Sequence, residues 1–111
     1  MFAFEKEALR RITEKLKKVL GDELVTAIAF GSRVRGDFSQ DSDFDILVFV
    51  KKRTFAVIDR VNHLFTNEEE KAGIPFSVIV KGADLFEKEN VYKTMFYRNI
   101  KQEGIVLYGR A

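Results

Sequence analysis

The chain has no cysteine and no tryptophan, and only one histidine and one proline. Without thiols there is no disulfide framework, no thiolate zinc site and no cysteine nucleophile. His63 alone excludes a multi-histidine metal site within one chain. Charge of one sign is also scarce. Nineteen Lys and Arg against seventeen Asp and Glu leave +2 over 111 residues, too little for a polybasic nucleic-acid wrapper or an acidic tail protein. No apolar run approaches the ~20 residues of a membrane span, and the opening MFAFEKEALRR lacks the apolar stretch of a signal peptide. What is present is 46% apolar and 13% aromatic residues, enough for a packed core and against disorder. The expectation is one cytoplasmic domain over residues 1–111. Its chemistry would rest on carboxylates, hydroxyls, basic groups and backbone.

Hydrophobic periodicity orders the chain. Phe4, Ala8, Leu9, Ile12, Leu16, Val19 and Leu20 recur at helical spacing, and Gly21 stops the helix. Leu24 to Phe30 and Phe44 to Val50 are apolar runs, interrupted only by Thr26 and Asp45, and predict strands buried on both faces. Between them, Gly31–Asp41 is polar, with room for a short helix. Thr54 opens a helix predicted to run to about Phe65, followed by a surface loop holding Glu68, Glu69, Glu70 and Gly73. Pro75 starts a third strand, Phe76 to Val80. Asp84 with Glu87 fits a capping box for a last helix up to Gly104, and Ile105 to Tyr108 closes as a short strand. The fold class is α+β: a single mixed sheet with helices packed on it.

The chemistry concentrates in GSRVRGDFSQDSDFD, residues 31–45. Gly31-Ser32 follows a buried strand at a strand-to-helix turn, where free backbone N–H groups and the helix dipole favour an anion such as phosphate. Asp43 and Asp45 alternate by two at the start of the next strand, so both carboxylates project to one side. Such a pair repels, and a hard divalent cation is its natural compensation. A phosphate cradle facing a dicarboxylate describes magnesium-dependent chemistry on a nucleoside triphosphate. Competing motifs fail on single residues. Gly31-x4-Gly36 has P-loop glycine spacing, but Asp37-Phe38 stands where Lys-Ser/Thr is required. Asp41-x-Asp43-x-Asp45 begins like an EF-hand, yet Ile46 takes the glycine position and Lys52 that of the bidentate Glu. An isolated D-x-D would read as a polar turn; the Gly-Ser upstream, in this strand context, argues otherwise.

Gly31-Ser32, ten residues, then Asp43-x-Asp45 resembles the G-S-x10-D-x-D motif of the polymerase-beta-like nucleotidyltransferase superfamily. The longer string GSRVRGDFSQDSDFDILV resembles the minimal nucleotidyltransferases (MNT), often encoded beside a HEPN-domain partner. The resemblance implies a nucleotide-binding set of Gly31, Ser32, Arg33 and Ser42, with Gly31 and Ser32 on the triphosphate and Ser42 bracing the loop. It implies that Asp43 and Asp45 are catalytic and ligate two Mg²⁺ ions. Arg33 and Arg35 read equally as phosphate donors or as a solvated helix face. One departure stands out. The superfamily usually supplies a third carboxylate from the neighbouring strand, where this sequence aligns Ser77.

Two functions follow from the resemblance. One is transfer of a nucleoside monophosphate, AMP from ATP in the first instance or from another NTP, to an acceptor hydroxyl. The acceptor would be a HEPN toxin, with this chain as its antitoxin. The other is a nucleotide-binding antitoxin that neutralises its partner by contact, with little or no catalysis. A small-molecule transferase of the antibiotic-modifying kind should need more chain. A homodimer is compatible with either; neither membrane nor direct nucleic-acid binding is expected. His63 in its helix, the Tyr92, Phe96 and Tyr97 cluster, and Lys51-Lys52-Arg53 read as structural or solvated positions.

Overall fold

The computed structural model describes residues 2–31, 43–83 and 104–109. Helix α1 (Ala3–Leu20) turns its Ala8, Leu9, Ile12, Leu16 and Leu20 side inward. Its first turn is closed by Glu5, whose carboxylate accepts the Phe2 N–H at 2.7 Å, one half of a capping box. Phe4 and Val19, which share the apolar spacing, stay 58% and 41% exposed, so the buried stripe is narrower than the periodicity predicts. Gly21 ends the helix at φ 53 and leads through a 3-10 turn into β1 (Leu24–Phe30). Strand β2 spans Phe44–Val50, helix α2 Phe55–Ala72, β3 Phe76–Gly82 and β4 Ile105–Tyr108.

The four strands form one sheet in the order β3-β2-β1-β4. β1 pairs antiparallel with both β2 and β4, while β2 and β3 run parallel, so the sheet is mixed, as the sequence predicts. Alternation along β1 and β2 divides their side chains between two faces. Ala27, Ala29, Phe44, Ile46, Val48 and Val50 join Val80 and the inner sides of α1 and α2 in the main core. Ile28, Leu47 and Phe49 are buried on the opposite face, with Val25 and Phe30 against them. Both central strands are therefore apolar on both sides because both sides are covered. Large-to-small changes at such fully buried positions cost about 2–5 kcal/mol.

Two boundaries differ from the sequence reading. Helix α2 continues to Ala72, so the acidic run at 68–70 is helical instead of a surface loop. The reason is tertiary and local together. Val57, Val61, Leu64, Phe65 and Glu68 occupy one buried side, and glutamate is a good helix former. Thr54 caps the start by accepting the Val57 N–H at 3.2 Å. Gly73 ends the helix at φ 68 with its N–H on the Glu69 carbonyl, the left-handed C-cap that glycine takes without strain. Strand β3 also runs two residues further, to Gly82. His63 is 75% exposed on α2, its Nδ1 3.0 Å from the Asp59 carbonyl, and is not a core histidine. The short helix predicted within residues 31–41 and the last helix between residues 84 and 104 lie outside the described residues. Among the described residues no helix is long and apolar enough to cross a membrane.

Candidate active site

Strand pairing alone brings the motif together. Phe30 ends β1 opposite Asp45, and Phe76 begins β3 opposite Phe44. Gly31, Asp43, Asp45 and Ser77 therefore meet at one end of the sheet. The next pair in the parallel ladder sets Ser77 beside Asp45, the register expected for the position of a third carboxylate. Their neighbours Phe44 and Phe76 point the other way. Those two rings stack with centroids 5.9 Å apart, and Phe65 of α2 meets Phe76 edge-on at 5.6 Å. Aromatic packing thus anchors the reverse side of the same residues that carry the carboxylate and the hydroxyl.

Two hydrogen bonds fix the start of β3, one to β2 and one to α2. The Phe44 N–H donates to the Pro75 carbonyl at 3.0 Å. The Phe76 N–H donates to Glu69 Oε1 at 2.6 Å. Glu69 is a residue that sequence reasoning missed, because the acidic run was read as a loop. The signal available was its place one turn before Gly73, on a helix whose end faces the incoming strand.

Gly31 has a reason to be glycine beyond turning the chain. Its φ is +98, and a Cβ built there would run into Asp45 Oδ2 and lie 3.2 Å from Asp45 Cγ. The Gly31 backbone therefore packs directly on the carboxylate, with room for nothing larger than hydrogen. Asp45 is half-buried and Asp43 exposed. Burial pushes the Asp45 carboxyl above its ordinary value, and the neighbouring Asp43 charge adds to that shift. Among the described residues Asp45 makes no ion pair, and no group of three or more His, Cys, Asp or Glu is placed to hold a metal ion. Ser32, Arg33, Arg35 and Ser42 lie outside the described residues. A pair of hard, mutually repelling carboxylate oxygens, one of them desolvated, is a donor set suited to Mg²⁺.

The family description "Polymerase beta, Nucleotidyltransferase" matches residues 11–111, and the chain belongs to that nucleotidyltransferase family. A relative in Methanocaldococcus jannaschii, "Putative protein adenylyltransferase MJ0604", is 34% identical over 104 residues, covering 94% of this chain and 98% of its own. Two solved structures share the fold. A toxin–antitoxin MntA–HpeT mutant superposes with TM-score 0.63 at 13% identity, over 92% of this chain and 73% of that one. The Shewanella oneidensis complex of a tri-AMPylated HEPN toxin with its MNT antitoxin gives 0.50 at 15% identity, over 92% and 73%.

Proposed function

We propose that residues 1–111 form a single minimal nucleotidyltransferase domain that transfers a nucleoside monophosphate, AMP from ATP, to a hydroxyl on a HEPN-domain partner, and thereby acts as its antitoxin. The observation that carries the reading is the packing of Gly31 on the Asp45 carboxylate beside Asp43, in a chain of this family. The adenylyltransferase name of the relative supports AMP as the transferred group. The tri-AMPylated HEPN toxin bound to an MNT antitoxin, on the same fold, supports the acceptor class.

Asp43 and Asp45 would hold Mg²⁺, which when bound supplies positive charge to the triphosphate and to the departing pyrophosphate. The chain's own residues set the rest. Gly31 lets the backbone approach without a side chain, and Gly31, Ser32, Arg33 and Ser42 would form the nucleotide-binding set. The β2–β3 ladder holds Asp45 and Ser77 in fixed register, against which an acceptor hydroxyl would be oriented. Orientation of that kind accounts for much of the acceleration in displacement at phosphorus.

Ser77 favours a second reading, a nucleotide-binding antitoxin that neutralises its partner by contact. It places a neutral hydroxyl beside Asp45 where relatives usually bring a carboxylate. Incubation with α-labelled ATP, Mg²⁺ and a candidate HEPN-domain partner separates the two. Transfer predicts label on a hydroxyl residue of the partner, lost in Asp45→Asn. Neutralisation that persists in the Asp43/Asp45 double mutant without label selects the contact mechanism.

A further inference from the structure

We propose that Ser77 is itself an acceptor: the site transfers a nucleoside monophosphate to the Ser77 hydroxyl of its own chain. This rests on the nucleotidyltransferase reading and adds an activity and a modification site to it. Three observations carry it. Ser77 is exposed and pairs with Asp45 in the parallel ladder, so its side chain stands on the same face, on strands about 4.8 Å apart. Its Oγ has no hydrogen-bond partner among the described residues, so no bond to them must be broken for it to react. Its backbone lies in the β2–β3 ladder, and the two residues before it are fixed by the Phe44–Pro75 and Phe76–Glu69 hydrogen bonds. A free hydroxyl on a fixed strand beside the metal-binding carboxylate is oriented as a nucleophile needs to be.

The other described hydroxyls are placed differently. Thr13 donates to the Leu9 carbonyl and Thr54 caps α2. Thr26 is buried. Thr66 lies on α2, and Tyr108 pairs with Ala27 of the main core. In the transfer, Ser77 Oγ forms a bond to the α-phosphorus. The bond from that phosphorus to the oxygen bridging the α and β phosphates breaks, and pyrophosphate leaves with the electron pair. The hydroxyl proton passes to solvent water. The product is a phosphodiester standing on the wall of the site, so the reaction limits itself to one event per chain and hinders later transfer to a partner.

The test uses the full chain with no other protein. Its intact mass is recorded first, since modification acquired during expression counts as label. It is then incubated with MgCl₂ and each of the four α-labelled nucleoside triphosphates, digested, and read by tandem mass spectrometry. Calorimetry on the same samples gives Mg·NTP affinity. The expected result is at most one nucleoside monophosphate per chain, located on Ser77, lost in Ser77→Ala and retained in Ser77→Thr, with both variants still binding Mg·NTP. Label on another residue, or label undiminished in Ser77→Ala, overturns Ser77 as acceptor and leaves the enzyme reading standing. No label in a chain that binds Mg·NTP overturns self-transfer alone. No label and no binding overturns both.

Discussion

Glu68 and Asp45 are both carboxylates that folding takes out of water, and the fold treats them in opposite ways. Glu68 lies fully buried between α1 and α2. Arg11 Nε and Nη2 reach its Oε1 at 3.0 and 2.8 Å, and Lys15 Nζ reaches Oε2 at 2.9 Å. Burial alone would raise its pKa, but the hydrogen bonds and charges of Lys15 and Arg11 outweigh burial and lower it. Asp45 has burial and the like charge of Asp43, and its pKa is raised. The chain supplies the counter-charge at one carboxylate and, among its described residues, withholds it at the other. A desolvated acid left in that state stores an unfavourable interaction that a bound cation can relieve. The first carboxylate holds the fold together; the second keeps a site available.

The largest effect should come from removing the uncompensated charge. Asp45→Asn is expected to lower Mg·ATP affinity by at least about 100-fold, or ~2.7 kcal/mol. Its apo stability should be equal to wild type or higher. The sign follows from the shift: a raised folded pKa means that ionised Asp45 costs stability at neutral pH, and asparagine carries no such cost. Calorimetric titration and urea unfolding measure the two halves. Unchanged Mg·ATP affinity would remove Asp45 from the metal site, and a large loss of apo stability would make it a structural acid like Glu68.

Glu68 should show the reverse pattern. Glu68→Ala leaves Arg11 and Lys15, one turn apart on α1, without the counter-charge that α2 supplies. Those side chains are 28% and 38% exposed and can rehydrate, so we expect a loss of about 2–3 kcal/mol, below the 3–5 kcal/mol of a fully buried broken pair. Nucleotide affinity should not change. Because its folded pKa is depressed, Glu68 contributes stability that is fully present above its ordinary value of 4.5 and is lost as pH falls through the lowered value. Urea unfolding over a falling pH series should therefore show an acid-side decline that Glu68→Gln flattens. An equal decline in both proteins would place the acid-labile group elsewhere.

The same contrast explains what could be read from the amino acids alone. β1 and β2 were legible to the residue, since Leu24–Phe30 and Phe44–Val50 are apolar runs, interrupted only by Thr26 and Asp45, ended by Gly31 and by Lys51. The place of Ser77 beside Asp45 was legible only through the resemblance, which aligns it with the superfamily's third carboxylate, and the β2–β3 register agrees. The second half of α2 was not. Three consecutive glutamates look solvated in one dimension. Only the arrival of Arg11 and Lys15 from a helix more than fifty residues away makes Glu68 an interior residue. Long-range charge pairing leaves no local periodicity to detect. The Gly31–Asp45 contact was half legible: the motif marks both residues, but nothing in a string of letters says that one sits on the other.

That contact supplies the smallest of these effects and the sharpest control. Gly31 and Gly73 both have positive φ, +98 and +68, so alanine is strained at either position. Their surroundings differ. A Cβ at Gly73 would meet nothing within 4 Å, whereas one at Gly31 would collide with the Asp45 carboxylate. Gly73→Ala should therefore cost only its backbone strain, about 1–2 kcal/mol, and leave Mg·ATP affinity alone. Gly31→Ala should cost a comparable amount, about 1–3 kcal/mol, but must also displace the Asp45 side chain to make room. Its distinguishing result is weaker Mg·ATP binding at a stability loss matched by Gly73→Ala. If the two variants lose the same stability and both bind Mg·ATP like wild type, the Gly31–Asp45 packing is a feature of the turn alone. Glycine would then be required at position 31 for its φ and not for the site.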